Sequence, residues 1–245
     1  MPTIMKRLFG ISLILLLFGV SSAIAWSAKP YLKKNEMPDA TNYLPAPPDS
    51  SYMLMAGDYG RYWWGKSLRP TERGERARQD AECNADYICR IFSPAMGITL
   101  SKDSTPAIYE LLNRAVETID LGDHKAKAFY SRRRPYMVFD EPTLVPNDEE
   151  VLRKNGSYPS GHTVCGWSAA LLLTEINPDA AEEILRIGYE YGQSRVIAGF
   201  HWQSDVDAGR AVAAAGYAFL HSNKDFLQQM TKAKLEFRQK QKSRK

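Results

Sequence analysis

Six apolar residues downstream of Thr105 fall on one helical face. Ile108, Leu111, Leu112, Ala115, Val116 and Ile119 stand at offsets 0, 3, 4, 7, 8 and 11, the 3.6-residue period of an amphipathic helix. Thr105 can cap that helix, and Pro106 suits its first position, where a backbone N–H has no partner anyway. The period recurs along the chain. Ser160 to Ile176 reads as a core helix stopped by Asn177-Pro178. Asp179 to about Val196 carries Ile184, Leu185, Ile187, Gly188 and Tyr191 on its inner side, and Gly199 ends it. A helix rich in Ala and Gly follows from about Ser204 to Ser222. Phe226, Leu227, Met230, Ala233 and Phe237 give a last amphipathic helix, with a basic tail expected to fray from Arg238. No stretch alternates with the period of two that a half-buried strand shows. The expectation is an all-α fold: one compact domain of roughly ten helices over residues 51–245, for which 44% hydrophobic residues supply a core.

Ahead of that domain, Pro30, Pro38, Pro45, Pro47 and Pro48 forbid a regular helix, so residues 26–50 are expected to lie as an extended arm. Residues 1–25 read as a secretory signal: Lys6 and Arg7, an apolar run from Ile11 to Val20, then Ala23-Ile24-Ala25 as a cleavage site. An uncleaved membrane anchor is the alternative, but the run is short against the ~20 residues of a span. The mature protein is thus expected to be periplasmic or secreted, with no membrane span after signal removal. Formal net charge is +4; without Lys6 and Arg7 the balance is too even for a nucleic-acid polymer as partner. Ser93-Pro94 is expected to interrupt a helix, and residues 135–147, with three prolines, to form a loop. Short helices are expected from Asp123 to Ser131 and from Asn147 to Asn155-Gly156. Of the cysteines, Cys83 and Cys89 on a straight helix would sit about 9 Å apart, beyond bridging distance. Free thiols are expected, and no Cys/His cluster has zinc spacing.

Three clusters carry chemistry: Lys127 with Arg134-Pro135; Pro159-Ser160-Gly161-His162; and Ser194-Arg195 with His201 and Asp205. A helix starting after Pro159 offers unpaired N–H groups and partial positive charge, which suit an anion. Gly161 allows close approach and Ser160 adds a hydroxyl; the plainer reading of Ser160 is a helix cap. His201 and Asp205 lie four residues apart, so in a helical turn the carboxylate can fix the ring's tautomer; the plainer reading is a surface pair. Lys127, Arg134 and Arg195 mean little singly, and Arg132 and Arg133 read as solvated. Together the set suits gripping a phosphoryl group and passing it through a histidine.

In order, the clusters follow the pattern Lys-x6-Arg-Pro, Pro-Ser-Gly-His, Ser-Arg-x5-His-x3-Asp without departure. With Arg90-Ile91-Phe92-Ser93-Pro94, Tyr191-Gly192-Gln193-Ser194-Arg195 and His201-Trp202-Gln203-Ser204-Asp205, the chain resembles the bacterial class A non-specific acid phosphatases. These are the soluble branch of the type 2 phosphatidic acid phosphatase superfamily. The resemblance runs roughly from Tyr43 to the last helix. It implies the all-helical fold shared with the vanadium haloperoxidases, and hydrolysis of small phosphomonoesters to inorganic phosphate without metal or other cofactor. It further implies roles: His201 as nucleophile forming a phosphohistidine, Asp205 orienting it, and His162 as proton donor. Lys127, Arg134, Ser160, Gly161 and Arg195 would bind phosphate. A loop cysteine common in the family is missing between Pro142 and Pro146, so no disulfide scheme transfers. With the Ala-rich helix, the resemblance points to a homodimer. The alternative is a vanadate-dependent haloperoxidase using the same cradle, though those enzymes are usually much longer. Tyr130, Tyr136 and Trp202 are candidates for stacking on a nucleoside, with core packing as the plainer reading.

Overall fold

A computed structural model describes residues 28–48 and 51–243; the expected signal segment and cleavage site lie outside them. Among the described residues there are eleven α-helices and no strand, so the all-α expectation holds. They are α1 Tyr52–Leu68, α2 Glu72–Gln79, α3 Ala85–Met96, α4 Pro106–Asp120, α5 His124–Tyr130, α6 Pro135–Phe139, α7 Glu149–Leu152, α8 Gly161–Ile176, α9 Ala181–Ala198, α10 Gln203–Leu220 and α11 Lys224–Lys242.

Helix α8 is the centre. Its Val164, Cys165, Ala169, Ala170, Leu172 and Leu173 are fully buried, and a helix apolar on all sides has to be wrapped by others. Helices α9, α10 and α4 do the wrapping, and each leucine so covered contributes about 1.5–3 kcal/mol. Small residues set the spacing. A Cβ on Gly209 of α10 would lie 2.7 Å from the Ser160 carbonyl, at the start of α8. The predicted apolar face of α4 is fully buried, between α8 and α11. The N-terminal arm docks on α4: Tyr31 N–H donates to Thr118 Oγ1 at 2.8 Å, and the Arg114 guanidinium covers the Tyr31 ring. The arm also contains two short 3-10 turns, Lys34–Glu36 and Ala40–Asn42.

Three local expectations are corrected. Helix α3 runs through Ser93-Pro94 and stops only at Gly97, with φ 64°. Pro94 sits near the helix end, where its missing N–H removes a single bond, and Phe92 and Met96 on either side of it are buried. Residues 135–139 form α6, because Pro135 occupies the helix start, where proline is favoured. Helix α11 passes Arg238 and reaches Lys242, with Phe237 4% exposed. Cys83, Cys89 and Cys165 are free and buried. The reason is not a straight helix, since Cys83 precedes α3 in the link from α2. No helix among the described residues is long and apolar enough to cross a membrane.

Candidate active site

Pro159 and Ser160 bring the chain to the start of α8 after a cis Tyr158–Pro159 peptide. Ser160 is the N-cap: its Oγ accepts from the Thr163 N–H at 3.4 Å and the Thr163 hydroxyl at 3.0 Å. The capping reading is therefore real, yet a hydroxyl that accepts twice still has its own O–H to donate. The Ser160 N–H is taken by the Asp205 carbonyl at 2.9 Å, which joins the starts of α8 and α10. Gly161 and His162 open α8, where amides have no intrahelical acceptor. His162 Nε2 lies 2.9 Å from the Ala81 carbonyl and so carries the proton, leaving Nδ1 to act. Burial, then the Arg195 charge, holds the His162 pKa well below the usual histidine range.

His201 lies just before α10, in the turn opened by Gly199, whose φ of 91° favours glycine. Its Nε2 is 3.0 Å from Arg134 Nη1. A guanidinium can only donate, so Nε2 presents its lone pair and Nδ1 carries the hydrogen. Nδ1 lies 3.4 Å from Asp205 Oδ2, a charge contact and not an aligned hydrogen bond, since Nδ1 has no hydrogen-bond partner. The contact does not come from a helical turn, as the four-residue spacing suggested. Asp205 is the third residue of α10 and bends back, accepting from the Trp202 N–H at 2.8 Å. Burial, then Arg134, Lys127 and Arg195, holds the His201 pKa well below the usual range.

The three cations converge on the same space. Lys127 of α5 donates from Nζ to the Pro159 carbonyl and lies 3.3 Å from Asp123, whose pKa is raised by burial. Arg134 is 2% exposed; burial lowers its pKa to about 10. Arg195 is fully buried, and its Nε, Nη1 and Nη2 have no hydrogen-bond partner. Its guanidinium lies 4.4 Å from the centre of the Phe200 ring. A buried, unpaired cation is costly, and an anion beside it would relieve that cost. A cleft of about 390 Å³ reaches Lys127 from solvent, lined also by Lys34, His124, Lys154 and Asn155. All eight residues named from the sequence thus lie around the starts of α8 and α10, on α5 and α9, or in the adjoining loops. Among the described residues, no three His, Cys, Asp or Glu side chains gather as a metal-ion site.

The sequence profile of the PAP2 superfamily matches residues 110–227. A non-specific acid phosphatase of Providencia stuartii is 47% identical over 208 residues, covering 84% of this chain and 84% of that protein. The chain belongs to the non-specific acid phosphatases of the PAP2 superfamily. A second member, from Salmonella typhimurium, is 39% identical over 220 residues, 88% of this chain and 87% of its own. An acid phosphatase of Zymomonas mobilis is 36% identical over 237 residues, 92% and 89%.

The structure adds residues to this acid phosphatase that sequence reasoning missed. Arg132, read as solvated, has a side chain only 8% exposed and bonds Asp205 Oδ1 at 2.6 Å and Asp58 Oδ2 at 2.7 Å. One sequence signal could have found Asp58: it interrupts a stripe of Met55, Tyr59 and Tyr62 on α1. Ser194, part of the motif, points away from the cradle and donates to Asp80 Oδ2 at 2.6 Å. Asp80 also accepts from the Tyr87 hydroxyl at 2.6 Å, which fixes the turn bearing the Ala81 carbonyl behind His162. Tyr136 is 2% exposed and packs in the core; Trp202 is 1% exposed and borders a second cleft with Tyr59, Arg132 and Val138.

Proposed function

We propose that this chain is an exported acid phosphatase that hydrolyses phosphomonoesters through a phosphohistidine at His201, without metal. As a non-specific acid phosphatase it is a phosphoric monoester hydrolase acting on small phosphate esters. The observation that carries the mechanism is the fully buried Arg195, with three unpartnered donors, beside a His201 whose Nε2 presents a lone pair. A dianionic phosphoryl group offers acceptors to Arg195, Lys127, Arg134, the Ser160 hydroxyl and the Gly161 N–H. By accepting from Arg134, it also releases the Nε2 lone pair.

His201 Nε2 then forms a bond to phosphorus as the ester P–O bond breaks, and His162 Nδ1 gives its proton to the leaving alkoxide. Asp205 stabilises the charged ring. Water attacks the phosphohistidine, His162 takes its proton, and the N–P bond breaks to release inorganic phosphate. Fixed cations meet the charge that spreads over the phosphoryl oxygens. His162 is neutral by itself because burial and Arg195 suppress its charge. A bound dianion cancels that field and raises its proton affinity, and mild acid helps further, in keeping with an acid phosphatase. Side-chain cations do the work a metal would do, so hydrolysis of p-nitrophenyl phosphate should survive excess chelator. Rapid quench should trap an acid-labile phosphoenzyme that His201→Ala lacks; a covalent phosphate persisting in that variant would falsify the assignment. Fractionation and N-terminal sequencing should find the protein outside the cytoplasm, starting after Ala25. No observation favours the haloperoxidase reading.

A further inference from the structure

We propose that Arg132 and Asp58 are positioning residues of this phosphotransfer site, clamping Asp205 so that its carboxylate stays beside His201 Nδ1. The proposal rests on the phosphohistidine reading above. Arg132 Nη1 donates to Asp205 Oδ1 at 2.6 Å and to Ser204 Oγ at 2.7 Å. Its Nη2 donates to Asp58 Oδ2 at 2.7 Å. Asp58 in turn accepts from the Ser204 N–H at 2.8 Å and the Ser204 hydroxyl at 2.6 Å. Three separate elements therefore meet: α1, the loop between α5 and α6, and the first turn of α10. Trp202 closes the group, with the Arg132 guanidinium 5.6 Å from its ring centre. With Oδ1 held by Arg132 and Oδ2 by the Trp202 N–H, the carboxylate cannot rotate away from His201.

The charge count gives the clamp a chemical purpose. One cation is shared by two carboxylates, so Asp58, Arg132 and Asp205 together carry one net negative charge when ionised. That charge is balanced when the His201 ring turns cationic on forming its bond to phosphorus. Arg132 bonded to Asp205 alone would cancel the charge the ring needs. The other groups bearing on Asp205 are Arg134, from the same loop as Arg132, and His201 itself, with Tyr158 nearby. Burial raises the Asp205 pKa and Arg132 acts against it.

Arg132→Gln, Arg132→Lys and Asp58→Asn test this with p-nitrophenyl phosphate, inorganic phosphate as inhibitor, and pH profiles of kcat/KM. In Arg132→Gln, kcat should fall on the order of 10²-fold. Its phosphate inhibition constant should stay within about threefold, because the clamp does not touch the cradle. Arg132→Lys should recover part of kcat. The acid limb should move up in Arg132→Gln, where a cation is lost, and down in Asp58→Asn, where an anion is lost. A purely structural role would not move the two limbs in opposite directions. Wild-type kcat with an unmoved limb in Arg132→Gln would overturn the clamp, as would phosphate affinity falling in step with kcat. If Arg132→Gln does not fold, the nearly isosteric Asp58→Asn decides: an unmoved limb defeats the proposal. A wild-type protein inactive on p-nitrophenyl phosphate would instead defeat the phosphatase reading itself.

Discussion

At the scale of single residues, the proposed anion grip comes at a cost in stability. Arg195 is fully buried with three nitrogens unpartnered, and replacing a poorly compensated buried charge by an apolar side chain is often neutral or stabilising by about 1–4 kcal/mol. Arg195→Met should therefore melt at or above the wild-type temperature in phosphate-free buffer, while kcat/KM falls roughly 10²–10³-fold. Calorimetry and steady-state kinetics on the same preparation check it, and a clear drop in melting temperature would contradict the argument. The two histidines add a pH dependence. Both rings are held neutral in the fold, but in the unfolded chain they take up protons below about pH 6.5. The unfolded chain then binds more protons, so these groups lower stability as pH falls through that value. Asp123 and Asp205, with raised pKa values, act in the opposite sense. His162→Gln keeps those carboxylates and removes one histidine, so its melting temperature should fall less steeply than wild type between about pH 7.5 and 5.5. Equal slopes would show that His162 is not neutral in the fold.

Among the elements, the start of α8 and the first turn of α10 form one unit. The Ser160 N–H bonds the Asp205 carbonyl, and Gly209 leaves room for the approach. A Cβ there would lie 2.7 Å from the Ser160 carbonyl and 2.9 Å from Thr163 Cβ, and both are backbone or near-backbone atoms that cannot swing aside. Gly209→Ala should cost about 1–3 kcal/mol by overpacking. It should also lower kcat more than a neutral surface change, because it separates the Ser160 cap from the Asp205 turn. Urea unfolding with kinetics below the transition would report both effects; full activity would mean that the two starts tolerate separation. The second buttress is Asp80, which bonds Ser194 and Tyr87 and sets the Ala81 carbonyl on His162. Each histidine thus has its own backing element: α10 and α1 for His201, the turn after α2 for His162.

Across the whole molecule, the cradle lies where α5, α8, α9, α10 and their loops meet, so an anion bound there ties several helices together. Inorganic phosphate at about a hundred times its dissociation constant should stabilise the fold by about 2.7 kcal/mol, read as a rise in melting temperature. The rise should be absent in Arg195→Met. Sequence alone determined the helical class, because the face of α4, the run of α8 and the cap at Ser160 are local patterns of spacing. It also marked Lys127, Arg134, Ser160, Gly161, His162, Arg195, His201 and Asp205, because their residue types and intervals match one chemistry. It did not determine that α3 continues through Pro94 or that α11 passes Arg238, since the burial of Phe92, Met96 and Phe237 outweighs local propensity. Only the tertiary structure decided which polar residues back the site. Arg132 reaches Asp58 across 74 positions of chain and Asp205 across 73, and Ser194 reaches Asp80 across 114. No local period encodes such pairs. They form because α1 and the turn after α2 pack beside helices far away in sequence, and a buried charge must then find its partner there.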